Sequence, residues 1–183
     1  MEGFDSVLTA ARAGAEWAWD RLYRELAPPV RGYLRGHGAS EPDDLTGEVF
    51  LGLVRDLPRF AGDERDFRAF VFTIAHRRLV DDLRRRSRRP VSPAEPGVIA
   101  ETAGAGGDVG DEALAALDEE RVRAAIEQLP PDQRSVLLMR ILGDLTIEEI
   151  ARAVGKRPGA VKALQRRALR RVERAYPFSE PRR

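Results

Sequence analysis

The segment from Leu145 to Arg171, LTIEEIARAVGKRPGAVKALQRRALRR, restricts the fold of this chain more than any other stretch. Thr146 followed three residues later by Glu149 spells a capping box, in which each side chain satisfies a backbone N–H that the helix start leaves without a partner. Ile147, Ile150, Ala151 and Val154 then recur at helical spacing. Gly155 stands where a left-handed residue ends a helix, and Pro158 suits the first turn of the next one. Val161, Leu164, Ala168, Leu169 and Val172 carry the apolar stripe onward. Two short helices joined through a glycine, with the small Ala151 permitting close approach and Val161 anchoring the second helix, predict a helix-turn-helix. The second helix and its approach hold Lys156, Arg157, Lys162, Arg166, Arg167, Arg170 and Arg171, with no acid before Glu173. An unopposed basic face of this kind points to nucleic acid.

Upstream, other helical patterns follow in order. Residues 4–12 place Phe4, Val7, Leu8 and Ala11 on one face. An amphipathic run from Trp17 to about Arg35 contains Pro28 and Pro29, which predict a kink or short break near Ala27 because proline removes a helical hydrogen bond. Gly36-His37-Gly38 ends that element, with His37 expected as a loop residue. Ser40-Glu41-Pro42-Asp43-Asp44 reads as a helix start, continued by Leu45, Val49, Phe50, Leu53, Val54 and Leu57. Residues 58–66 read as a loop. From Phe67 a long helix extends to about Arg86, apolar and aromatic at first, then dense in arginine. Asp81 and Asp82 are expected to pair with arginines three or four residues away.

Residues 90–111 are rich in proline, glycine and alanine and lack helical periodicity, which predicts a flexible linker. Between residues 90 and 120 there are eight acids and no base. Fully extended, a tether of roughly 20 residues reaches about 70 Å. Two further helical patterns lead into the helix-turn-helix. No run alternates with the period of a strand, so the expected class is all-α, two helical domains joined by a flexible acidic linker.

The net charge of +1 says little about partners; its distribution along the chain says more. With no cysteine, disulfides and thiolate metal sites are excluded. No apolar run approaches the roughly 18 residues of a membrane span, and the start lacks a signal-peptide pattern, so a cytoplasmic protein without membrane insertion is expected. Neither a P-loop, a nucleophile elbow nor a His/Asp ligand set is visible, so no catalysis, cofactor or metal is expected.

Taken together, DDLTGEVFLGLV (Asp43 to Val54), FRAFVFTIAHRRLVDDLRRRSRR (Phe67 to Arg89) and AIEQLPPDQRSVLLMRILGDLTIEEIARAVGKRPGAVKALQRRALRRV (Ala125 to Val172) resemble bacterial RNA polymerase sigma factors of the extracytoplasmic-function group. The resemblance covers nearly the whole chain. It implies that residues 1–89 form a region 2-like domain, 112–176 a region 4-like domain, and 177–183 a tail. It implies docking on the largest polymerase subunit through Asp44, Leu45, Glu48, Val49 and Phe50. Capture and melting of the −10 element would involve Phe60, Gly62, Asp63, His76, Arg77, Arg84 and Arg85. The second domain would read the −35 element while resting on the second-largest subunit. Lys162, Gln165 and Arg166 are the candidates for base contacts, and Lys156, Arg157 and Arg170 for phosphates. Core RNA polymerase and promoter DNA are therefore the implied partners, an anti-sigma factor is the implied regulator, and the free chain is expected to be a monomer.

Three stretches depart from the family pattern. Gly47 stands where glutamine is usual, Phe70 where tryptophan is frequent, and Ala75-His76-Arg77 where Ala-Arg-Asn is frequent. Phe67, Phe70 and Phe72 could stack on extruded bases or pack in the core, and core packing is favoured for each individually. The competing reading of the whole chain is a two-domain helix-turn-helix regulator that acts without being a polymerase subunit.

Overall fold

The computed structural model describes residues 3–88 and 121–175. Among them every regular element is helical: α1 (Phe4–Arg12), α2 (Glu16–Gly36), α3 (Pro42–Asp56), a 3-10 turn (Leu57–Arg59), α4 (Glu64–Arg88), α5 (helical over 121–127), α6 (Pro131–Leu142), α7 (Ile147–Val154) and α8 (Pro158–Ala175). The expected linker and tail lie outside the described residues, apart from the tail's neighbour Ala175, which ends α8.

The first lobe is α1 to α4. Its core is filled by Leu22, Leu26, Val30, Tyr33 and Leu34 from α2, Val49 and Leu53 from α3, and Phe67, Val71, Phe72 and Leu79 from α4. Aromatic edges lock the layers, with Phe4 5.6 Å from Phe67 and Tyr33 edge-on to Phe72 at 5.7 Å. The indole N–H of Trp19 donates to the Ala11 carbonyl at 3.0 Å and ties α1 to α2.

Two helices differ from expectation. α2 runs unbroken through Pro28 and Pro29. Both prolines are at least partly solvent-facing, so water can serve the carbonyls they leave unpaired, while buried Leu26, Ala27 and Val30 clamp the helix on its inner side. α4 begins at Glu64, three residues before the apolar pattern, because Asp63 caps it. The Asp66 N–H donates to Asp63 Oδ1 at 2.9 Å, and the Asp63 N–H reaches back to Asp66 Oδ2 at 3.4 Å. This is a capping box built from two aspartates.

The second lobe follows its sequence closely. The Glu149 N–H donates to Thr146 Oγ1 at 3.3 Å, and the Thr146 N–H donates to Glu149 Oε2 at 2.6 Å. Gly155 is left-handed, φ +67°, and the Lys156 N–H closes the helix on the Ala151 carbonyl at 2.9 Å. Ala151 and Val161 are buried where α7 and α8 meet. Arg134 donates to the Leu129 carbonyl at 3.0 Å, and also to that of Glu127, which fixes the α5–α6 corner. A smaller apolar cluster of Ala125, Leu129, Leu137, Ala168 and Val172 joins α5, α6 and α8.

The lobes are packed together. α6 lies against α2 and α7 lies against α4, so one hydrophobic core continues from Tyr33 and Phe72 into Leu138, Met139, Leu145 and Ile150.

Candidate nucleic-acid interface

The clearest candidate interface is the outer side of α8. Val161, Ala168 and Val172 hold the helix to its lobe. That anchoring turns Lys162, Gln165, Arg166, Leu169 and Arg170 outward, where they line a shallow groove with Ile147 and Glu173. Lys162, Arg166 and Arg170 follow one another at four-residue spacing, so their charges form a single stripe. Among the described residues no carboxylate stands within ion-pair distance of these three or of Arg157. Lys156 differs: its Nζ is 2.9 Å from Asp132 Oδ2 at the start of α6. It therefore enters any contact from an existing ion pair, whereas the stripe on α8 does not.

The residues assigned to −10 recognition fall in two places. Phe60 sits in the turn before α4, stacked on Phe70 with centroids 5.3 Å apart and edge-on to Phe67 at 5.2 Å. Its carbonyl accepts from Arg12 of α1. Beside it Asp5, Leu8, Thr9, Arg12, Pro58, Ala61 and Gly62 line an open cleft. Gly62 has φ +152°, a conformation that L side chains rarely adopt, and a methyl there would meet Asp66 Cβ at 2.6 Å. Asp63 is exposed and serves as the cap of α4. Phe67 and Phe72 are fully buried, which resolves both as core residues; Phe70 is half-buried.

The second place is further along α4. Arg77, Arg84 and Arg85 are exposed. Asp82 pairs with Arg85 at 3.8 Å and Arg86 at 3.2 Å, while Arg78 reaches Glu48 at 3.7 Å. His76, in contrast to these arginines, is not on the open surface. It is half-buried, with Nδ1 2.8 Å from the Tyr33 hydroxyl. Burial lowers its pKa, opposed by the Asp132 carboxylate and reinforced by Lys156, both from the second lobe.

The polymerase-facing assignment on α3 needs a correction. Leu45, Val49 and Phe50 point into the first lobe's core, Val49 with no exposure at all, and Phe50 packs 4.7 Å from Tyr23. Leu45 and Phe50 offer a partner little surface, and Val49 none. The outward side of α3 carries Asp44, Gly47, Glu48, Leu51 and Val54. Leu51 and Val54 are apolar yet 73% and 50% exposed. Sequence reasoning passed over Leu51 and put Val54 on the core-facing stripe because α3 is apolar on both sides; the signal was a second stripe, 47-51-54, beside the 45-49-53 stripe of the core.

His37, expected as a loop residue, is instead a buried part of the packing. It caps α2 and is buried, with Nδ1 2.9 Å from the Tyr33 carbonyl and Nε2 2.9 Å from Ser135 Oγ on α6. No metal cluster accompanies either histidine among the described residues.

Known proteins share this arrangement. The Sigma-70 region 2 family model matches residues 22–89, and the Sigma-70, region 4 model matches residues 119–172. The ECF RNA polymerase sigma factor SigD of Mycobacterium bovis is 35% identical over 180 residues, covering 94% of this chain and 83% of SigD. The ECF RNA polymerase sigma factor BldN of Streptomyces coelicolor is 34% identical over 173 residues, covering 93% of this chain; the chain spans 65% of BldN's length. In fold it is similar to the sigma factor RpoE solved in complex with the anti-sigma factor NepR from Bartonella quintana, with TM-score 0.69, 17% identity, and coverage of 88% of this chain and 98% of that one. CnrH, solved with the cytosolic domain of CnrY, gives TM-score 0.65 at 20% identity, covering 97% and 99%. With both regions matched in order and relatives of this identity along nearly its whole length, the chain belongs to the extracytoplasmic-function (ECF) RNA polymerase sigma factors.

Proposed function

We propose that this chain binds core RNA polymerase, directs it to promoters with two separated recognition elements, and assists their melting. The observation that carries the DNA half of this reading is the α8 stripe of Lys162, Arg166 and Arg170, open to solvent on a helix-turn-helix. The N-terminal half of such a helix fits the major groove, where Lys162, Gln165 and Arg166 reach base edges. Arg157 and Arg170, flanking them, meet phosphates, as does Lys156 once it exchanges Asp132 for the backbone. The cleft beside Phe60, Gly62 and Asp63 suits an unstacked base, and exposed Arg77, Arg84 and Arg85 supply positive charge along the path of the separated strand.

Polymerase docking belongs on the outward side of α3. There Asp44 and Glu48 flank exposed Leu51 and Val54, an acidic rim around an apolar centre. Leu45, Val49 and Phe50 support that surface from behind. The relatives share both regions rather than a helix-turn-helix alone, which favours a polymerase subunit over a free-standing regulator. The RpoE relative was solved with an anti-sigma factor, which supports a protein inhibitor for this chain as well. Its place of action is the cytoplasm, where its polymerase and promoters are, and the free chain is a monomer.

The deciding experiment combines purified core polymerase with this chain on a genomic DNA pool and sequences the transcripts. The expected result is a stable complex and a set of start sites that share two upstream motifs. Failure to bind core polymerase overturns the reading.

A further inference from the structure

α1 carries two stripes that share Leu8. Phe4, Val7, Leu8 and Ala11 face the core. Asp5, Leu8, Thr9 and Arg12, spaced by three and four residues, face the turn before α4. There they form one wall of a cleft whose other wall is Pro58, Phe60, Ala61 and Gly62. The open cleft measures about 620 Å³, a size common for ligand sites. Arg12 joins the two walls, its guanidinium donating to the Phe60 carbonyl. The turn is also held from within. The Phe60 N–H donates to the Leu57 carbonyl at 3.1 Å, and the Asp63–Asp66 box fixes its far end.

The two walls differ in chemistry. Pro58, Ala61 and Gly62 bring no side-chain hydrogen-bonding group, and Phe60 brings a ring set by its stacking on Phe70 at 5.3 Å. Stacking on such a ring holds any base, because every base has a π-face. One base is told from another by hydrogen bonds to its edge. Among the described lining residues, every side chain able to make those bonds belongs to α1: Asp5, Thr9 and Arg12. Asp63, at the end of the turn, already commits its carboxylate to the Asp66 N–H at 2.9 Å. The α1 groups are exposed, and Asp5 forms no ion pair among the described residues. Thr46 and Thr73 turn their hydroxyls back onto the carbonyl four residues earlier, at 2.7 and 2.8 Å. The Thr9 hydroxyl makes no such bond among the described residues.

The order of groups along α1 sets what this wall accepts. Asp5 only accepts hydrogen bonds, Arg12 only donates them, and Thr9 between the two does either. Arg12 has five N–H donors, so its bond to Phe60 leaves others for a base. A base satisfies the wall when its edge carries an amino group at one end and a carbonyl at the other. Cytosine and guanine do. Thymine has a carbonyl at each end, so one of them meets the Asp5 carboxylate, acceptor against acceptor. Adenine has the amino group but no carbonyl for Arg12. A polar group left without its partner is what makes the wrong base costly. We propose that α1 is the base-reading wall of the strand-capture cleft: Asp5 and Arg12 select an extruded cytosine or guanine, Thr9 completes the edge, and Phe60 stacks on its face. The proposal rests on the promoter-melting function above and adds which helix decides the base.

The test uses the full chain with core polymerase on promoters recovered by transcript sequencing, with the downstream element randomised. In the parent, one downstream position should be restricted to cytosine or guanine, with thymine giving at least about ten-fold less transcript. Asp5→Asn replaces one acceptor oxygen by a donor, and Asp5→Ala removes both oxygens. Each should bring the thymine templates close to the preferred base at that position alone, with the upstream element and the other downstream positions read as before. Asp5 is exposed, so the unfolding midpoint should stay near that of the parent. The same base profile in the parent and in both variants overturns the proposal, and so does a parent with no downstream position restricted to cytosine or guanine. A parent that forms no complex with core polymerase overturns the promoter-reading function instead. The cleft is then judged on the full chain alone, with single-stranded oligonucleotides that differ only in one central base. Tighter binding of cytosine or guanine, lost in Asp5→Asn, supports the α1 wall; equal affinity for all four bases, or none, overturns it.

Discussion

Nε2 of His37, at the C-terminal end of α2, lies 2.9 Å from Ser135 Oγ in α6, and this contact bridges residues 98 positions apart in a buried setting. The other ring nitrogen is held by the Tyr33 carbonyl at 2.9 Å. Both nitrogens are therefore occupied, and the ring is buried, which disfavours a charge on it. The two lobes, which already share an apolar core, are thereby also tied through one titratable side chain.

The first prediction concerns pH. Burial lowers the His37 pKa from 6.5 to about 4, opposed by the Tyr33 carbonyl and reinforced by Arg134 from α6 and His76 from α4. A histidine whose pKa is depressed in the packed state holds fewer protons there than in the opened or unfolded state. Its contribution is therefore fully present above about 6.5 and is lost as pH falls from there toward about 4. The gap corresponds to at most about 3 kcal/mol. The midpoint of thermal unfolding of the full chain should fall over that window, and His37→Gln should flatten the dependence. A pH profile of the same steepness in the parent and in His37→Gln contradicts this role of His37.

Arg166 and Arg170 should behave differently. If Arg166 makes a bidentate base contact, Arg166→Ala costs about 1–3 kcal/mol on the preferred upstream element and relaxes discrimination at one base pair. Arg170→Ala should weaken all duplexes about equally and reduce the salt slope by about 1. Titrations on matched and single-mismatch duplexes at several salt concentrations separate the two. Equal losses on every sequence for Arg166→Ala would make it a phosphate contact.

The contrast between lobes shows what a sequence exposes. The helix-turn-helix was legible in detail because its determinants are local: Thr146 and Glu149 bond each other, Gly155 supplies the left-handed turn, and Pro158 opens α8. The start of α4 was missed although Asp63 and Asp66 form the same kind of box, because the apolar pattern begins only at Phe67. The break expected at Pro28 and Pro29 does not occur, since packing of Leu26, Ala27 and Val30 outweighs two lost hydrogen bonds. Nothing local marks Gly32, Gly36 and His37 as partners of Leu138, Leu142 and Ser135. Their relation exists only once residues about a hundred positions apart are brought together, and a lone glycine or histidine at a helix end reads as a terminator. The base-reading role of the α8 side chains remains a proposal, although their clustering in one groove follows from the expected spacing.

Thr146 gives a stability prediction that leaves DNA-contacting groups in place. Removing the capping oxygen with Thr146→Ala should cost about 0.5–2 kcal/mol. Thermal unfolding of the full chain should shift downward accordingly, with the duplex salt slope unchanged because no cation is lost. A changed slope would mean that the box also orients α8 on the phosphate backbone.

The last prediction separates the two sides of α3. Phe50 is 7% exposed and packs on Tyr23, so Phe50→Ala should destabilise the first lobe by about 3–5 kcal/mol, and any loss of polymerase binding would then follow from unfolding. Leu51→Asp tests docking without that complication, because the side chain is 73% exposed. It should leave the unfolding midpoint nearly unchanged and abolish most binding to core polymerase, as expected for a charge placed at the apolar centre of an interface. Gly47→Ala should act in the opposite sense. A methyl there meets nothing within 4 Å, so the substitution should stabilise α3 by about 0.5–1 kcal/mol and leave room for docking. If Leu51→Asp binds polymerase as tightly as the parent, the outward side of α3 is not the docking surface, whatever Phe50→Ala does.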